Sequence, residues 1–238
     1  MKIRLDQKLV QLGLVPTRSQ GESYTKLAQV KVNGKIVTKP GHMVGEHDVI
    51  ELTTKEQYVS RAGLKLASVA QALSLDFRDK TVLDIGSSTG GFTDYALRHG
   101  AKKVLAVDVG TDQLHPSLQN NPQIELHEKT DIRDFQTQQA IDIVVADVSF
   151  ISLREILPAV LKLVNKQTQI VAMVKPQFEA GQSALKHKGV IKNDKMRRDI
   201  LKDFESWAKH AFIITDKADS EVSGGKGNQE RFYLMHKQ

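Results

Sequence analysis

Four short apolar runs limit this chain more than anything else in it. They are Thr81–Ile85, Val104–Val107, Ile143–Ala146 and Ile170–Val174, each bounded by polar residues or glycine. A strand covered by helices on both faces reads as a continuous apolar run, whereas a half-exposed strand alternates. The segments between the runs are long enough for crossover helices. The pattern predicts an α/β fold, a doubly wound Rossmann-like sheet, and ligands then sit beyond the carboxyl ends of the strands.

Residues 1–54 read differently. Leu5, Leu9, Leu12 and Val15 recur at helical spacing, and Pro16–Ser19 breaks the chain and offers a cap for a second helix. Val30–Val37 has hairpin alternation around Asn33-Gly34, a dipeptide that tolerates positive φ at both turn positions. Asp48–Leu52 alternates like a strand. This predicts a small α+β domain over 1–54, a linker over 55–59 and the larger domain over 60–238, opening with a helix at about Arg61–Ala72. Phe232–Leu234 reads as a last strand, and Phe204 with Trp207 as core.

The 238 residues contain no cysteine, which excludes disulfides, a thiolate nucleophile, cysteine-based zinc sites and iron–sulfur clusters. His99, His115, His127 and His187 lack metal-ligand spacing. The net charge is +6, and residues 1–60 carry nine Lys/Arg against six Asp/Glu, so half the excess lies on a quarter of the chain. A polyanion partner and a solvated positive surface both fit that bias. No apolar run reaches the roughly 18 residues of a membrane span, and the charged start is unlike a signal peptide, so a cytoplasmic protein without a membrane role is expected.

Asp84-Ile85-Gly86-Ser87-Ser88-Thr89-Gly90-Gly91-Phe92 follows the first run and opens a helix. Gly86 permits a sharp turn, and Gly90 and Gly91 permit close approach of a ligand or simply close packing. Asp108 ends the second run, 22 residues after Gly86, where a carboxylate binds ribose hydroxyls. Asp131 falls where an adenine would lie. The glycine spacing is neither that of a dinucleotide site nor that of a P-loop. A phosphate-free nucleoside, S-adenosylmethionine, fits better, although Asp84 could serve only to brace the turn. Asp147 and Lys175 follow the third and fourth runs, where a charge is costly unless paired or used.

Ser60–Leu66, Asp84–Phe92, Asp108–His115, Asp147–Leu153 and Lys175–Gly181 together resemble the TlyA/haemolysin A family, over nearly the whole chain. The larger domain is similar to FtsJ-like ribose 2′-O-methyltransferases. That resemblance implies a catalytic Lys-Asp-Lys-Glu tetrad at Lys65, Asp147, Lys175 and Glu230, with S-adenosylmethionine as donor and ribosomal RNA or a ribosomal subunit as partner. Residues 3–52 resemble the S-four RNA-binding domain, which implies RNA contacts by Arg4, Arg18, Lys26, Lys31, Lys35 and Lys39. The family pattern departs at Glu22 and Ser23, usually basic, and at Ala28, usually glycine. A second basic stretch, Lys186–Arg198, is implied to lie near the substrate; a plain solvated loop fits it too. The alternatives are a non-catalytic RNA-binding or assembly factor and a cytolysin, as the family's older name suggests. A base methyltransferase would need an Asn/Asp-Pro-Pro-aromatic turn where Asp147-Val148-Ser149-Phe150 stands.

Overall fold

The computed structural model describes residues 2–54, 57–180, 190–191, 193–224 and 227–238. The first elements are β1 (Ile3–Arg4), α1 (Leu5–Gln11), α2 (Arg18–Lys26), β2 (Val30–Val32), β3 (Lys35–Ile36), β4 (Met43–Val44) and β5 (Ile50–Leu52). Thr17 caps α2, its hydroxyl accepting from the Gln20 amide at 3.2 Å. β2 pairs with β3 and β5, and β1 with β4. Asn33 and Gly34 both have positive φ, as the hairpin requires.

The larger domain runs α3 (Arg61–Ala70), β6 (Thr81–Ile85), α4 (Gly91–Arg98), β7 (Lys103–Val107), β8 (Ile124–His127), β9 (Ile143–Ala146), α5 (Leu153–Leu163), β10 (Gln169–Val174), α6 (Pro176–Glu179), α7 (Asp194–Ala208), β11 (Phe212–Asp219) and β12 (Arg231–Lys237). Among the described residues they build one seven-stranded sheet, ordered β11-β12-β10-β9-β6-β7-β8. β6 to β10 are parallel; β12 runs antiparallel to both β10 and β11.

The buried strands alternate between two cores. Ile143, Val145, Val171 and Met173 face the side covered by α3 and α4. Val144, Ala146, Ile170, Ala172 and Val174 face the side covered by α5 and α7, where Phe204 is buried. Burial on both faces, worth about 1.5–3 kcal/mol for each large apolar side chain, is why these runs show no polar alternation.

The first core also takes in Leu5, Leu9, Tyr24 and Val30, so the N-terminal elements share it with α3. The Gln20 side chain donates to the Tyr58 carbonyl at 3.1 Å, and Arg61 donates to Ser19 Oγ at 2.7 Å. Tyr58 is buried, and the Val59 amide donates to Asp94 on α4 at 2.8 Å.

The expected crossover helices differ in one place. On either side of β8 the crossovers lack an α-helix: β7 leads to β8 through one 3₁₀ turn, Pro116–Leu118, and β8 leads to β9 through irregular backbone. Asn121 and Asp131 help shape that backbone by accepting from the amides of Gln123 and Arg133. Such local side-chain bonds compete with helix formation.

Candidate active site

The sheet turns sharply at the end of β6. Gly86 has φ 77°, and a Cβ there would lie 2.8 Å from the Asp147 carbonyl. Gly90 and Gly91 do different work. The space a Cβ would take at Gly90 is filled by Leu114 and Leu118, and that at Gly91 by Ser60, Ala62 and Gly63. Packing within the protein accounts for both, and they hold the loop down.

Two hollows open along the carboxyl edge. One, of about 390 Å³, is lined by Gly86, Ser88, Asp108, Asp131, Ser149 and Phe150 among others. The other, of about 160 Å³, is lined by Asp84, Ser87, Thr89, Phe92, Asp147 and Lys175 among others. Asp108 braces the rim: its Oδ2 accepts from the Ser88 amide at 2.8 Å and its Oδ1 from the Gly110 amide at 2.7 Å. Asp131 is forked by Arg133 at 3.0 and 2.6 Å, which holds it below the usual carboxylate range.

Asp84 is 1% exposed and points toward α4, where Thr93 Oγ1 donates to its Oδ2 at 2.6 Å. Its Oδ1 and the Ser87 hydroxyl are buried with no hydrogen-bond partner among the described residues. Burial pushes the carboxyl up to about 7; the Thr93 bond opposes this, and the Asp147 and Asp108 charges add to it.

The sheet register gathers the four expected tetrad residues. Val174 pairs with Arg231 across β10 and β12, so one step further brings Lys175 opposite Glu230. Asp147 follows β9, whose partner on the other side is β6. Lys65 reaches Glu230 from α3, Nζ to Oε2 2.6 Å, both almost wholly buried. Lys175 Nζ lies 2.5 Å from Asp147 Oδ1 and donates to Ser149 Oγ at 2.8 Å. The result is two ion pairs at neighbouring strand ends, of which Lys175–Asp147 borders the smaller hollow. Buried pairs contribute little net stability, because the cost of taking two charges out of water offsets their attraction.

The sequence reading missed Phe150. It is 91% exposed, has φ 67°, and its ring lies 5.2 Å from that of Phe178. A bulky residue in the left-handed region is strained. No periodicity marks it, and its only signal was an aromatic beside Asp147.

Away from this edge, Arg4 and Arg18 both bind Asp6: Arg4 at 3.0 and 2.7 Å, Arg18 at 3.1 Å. Lys26, Lys35 and Lys39 are exposed and Lys31 is half-buried. In the second basic stretch, Lys186–Gly189 and Lys192 lie outside the described residues. Arg197 there is tied to Asp219 at 2.5 Å and to the Gln229 carbonyl at 3.1 Å, beside Glu230.

A family model described as FtsJ-like methyltransferase matches residues 58–237, and one described as S4 domain matches residues 3–50. The chain belongs to the FtsJ-like methyltransferase family. It is 42% identical over 184 residues to the 23S rRNA (cytidine-2′-O)-methyltransferase TlyA of Campylobacter jejuni, covering 76% of this chain and 72% of that one. It is 34% identical over 244 residues to the 16S/23S rRNA (cytidine-2′-O)-methyltransferase TlyA of Mycobacterium tuberculosis, covering 100% and 91%. The solved structure of a candidate hemolysin from Streptococcus thermophilus superposes with a TM-score of 0.73 at 35% identity, covering 100% of this chain and 89% of that one. Within this FtsJ-like chain, the two ion pairs and the hollows occupy one sheet edge.

Proposed function

We propose that this FtsJ-like chain methylates a ribose 2′-hydroxyl of ribosomal RNA, with S-adenosylmethionine as donor. The observation that carries the reading is the Lys175–Asp147 pair at the hollows, Lys175 lining the smaller one and Asp147 lining both it and the cavity of about 390 Å³, with Lys65–Glu230 paired at the same sheet edge. That volume is within the range of small-molecule sites. The residues present fit the donor: Asp108 and Asp131 line the larger hollow, while the partnerless Asp84 Oδ1 and the Ser87 hydroxyl lie beside the smaller one. Bound there, S-adenosylmethionine would supply a methyl group on a cationic sulfur.

The chain's own residues do the rest. A ribose hydroxyl must lose its proton as it attacks. Lys175, buried and held by Asp147 and Ser149, steadies the forming alkoxide as an ammonium; to act as the base it would first pass one of its own protons to solvent, then take the hydroxyl proton in its neutral form. Lys65 and Glu230 orient the sugar from the α3 side. Phe150, exposed at the mouth, offers a face on which the target base stacks. Lys31, Lys35 and Lys39 in the S-four unit supply phosphate contacts that position the RNA.

The test replaces Lys175 by Met. Methyl transfer from labelled S-adenosylmethionine to ribosomal subunits from cells lacking this modification should fall about 10³-fold, while donor binding by calorimetry stays within about threefold. Turnover at the wild-type rate sinks the assignment. A wild-type chain that binds RNA and transfers nothing would favour the non-catalytic alternative.

A further inference from the structure

Lys175 and Asp147 stand at the ends of neighbouring strands, and each leads into a loop that has to be held. Three contacts join those loops. Lys175 meets Asp147 and Ser149 at the inner end. The Phe178 and Phe150 rings pack in the middle. At the far end the Glu179 side chain, 1% exposed, reaches the start of α5. Its Oε2 accepts from Ser152 Oγ at 2.6 Å, its Oε1 accepts from the Leu153 amide at 2.7 Å, and Arg154 Nε lies 3.5 Å away.

A buried carboxylate needs such partners, and here they are the cap hydroxyl and a first-turn amide of a helix that would otherwise be unsatisfied. Bonds of this kind are charge-assisted, and the positive end of α5 strengthens them. They also bear on function. Ser152 lies only two positions after the strained Phe150, and Glu179 four positions after Lys175. Strained backbone persists only where its surroundings over-determine it.

We infer that Glu179 is a positioning residue of the active site: by clasping the start of α5, it fixes the loop carrying Asp147, Ser149 and Phe150 against the segment carrying Lys175. The inference rests on the reading of Lys175 and Asp147 as the reacting pair. Ser152 is the relay, since its hydroxyl donates to Glu179 while accepting from the Arg154 amide at 3.1 Å.

The experiment uses the full chain, the same ribosomal subunits and labelled S-adenosylmethionine, with Glu179→Ala, Glu179→Gln and Lys175→Met. A misplacement near 1 Å costs about 10²-fold in rate, so Glu179→Ala should lose about that much kcat, with KM for the donor within about threefold. Glu179→Gln keeps the size and one acceptor, and should recover to about a tenfold loss. A purely structural Glu179 would lower the melting temperature and leave kcat of the folded protein unchanged, and that result overturns the inference. If Glu179→Ala does not fold, Glu179→Gln decides by the same criterion. Lys175→Met inactive with Glu179→Gln at full rate sinks the clasp alone. Lys175→Met at full rate sinks the reading of the pair and the clasp with it.

Discussion

Two buried aspartates, one in each domain, have opposite fates. Asp6 in α1 is 0% exposed, and Asp84 in β6 is 1% exposed. Burial pushes both carboxyls up. At Asp6 the bonds from Arg4 and Arg18 outweigh burial, and the group lies below the ordinary carboxylate range. At Asp84 Thr93 is the only donor among the described residues, and the group rises to about 7. Burial alone therefore does not fix where a carboxylate titrates. Its partners do: Asp6 has two guanidinium groups on it, and Asp84 has an oxygen with no hydrogen-bond partner among the described residues.

Replacing Asp6 by Asn tests the structural side and should have the largest effect. Two charge-assisted contacts weaken, and stability at pH 7 should fall by about 2 kcal/mol, seen as a melting temperature lower by about 6 °C. Because the folded Asp6 is held below its unfolded value, its contribution is present above about pH 4 and is lost as the pH falls through the folded value. The gap between wild type and Asp6→Asn should therefore close in acid. A constant gap would show that packing, and not charge, is responsible.

Asp84→Asn tests the other side and should act in the opposite direction. With its folded value raised, the Asp84 contribution is present at acidic pH and is lost as the pH rises through about 7. At pH 8 the native carboxyl is charged and incompletely paired, so Asp84→Asn should melt about 3 °C higher than wild type. The gain should shrink toward pH 4, and donor affinity should fall. Lower stability at pH 8 would mean that an unseen partner satisfies Asp84.

The smallest effect is expected where a charge is exposed. Arg4 and Arg18 are held on Asp6, whereas Lys35 is at the hairpin tip in solvent. Lys35→Gln should weaken binding to ribosomal RNA about twofold to threefold and reduce the salt slope by about 0.7–0.9, with melting unchanged. An unaltered slope would remove the hairpin from the RNA interface.

Much of this was legible from residue pattern. The four buried runs marked β6, β7, β9 and β10 because strands covered on both faces have no alternative to being apolar. β8 and β11 were not legible. β8, Ile-Glu-Leu-His, and β11, Phe-Ile-Ile-Thr-Asp-Lys-Ala-Asp, mix polar and charged residues with apolar ones because they are the two edge strands of the sheet and neither is covered throughout. The glycine loop was visible, but the reason for Gly90 and Gly91 was not: their neighbours are Leu114, Leu118 and Ser60, distant in sequence.

The amino-acid order by itself determined the sheet class, the strand-end charges and, through motif resemblance, which four residues to watch. It did not determine who pairs with whom. Lys65 meets Glu230 across 165 positions, Arg18 joins Arg4 on Asp6, and Glu179 turns back to α5. Those choices were made by sheet register and helix docking, because hydrogen bonds and ion pairs act over a few ångströms and only the folded chain brings their partners that close.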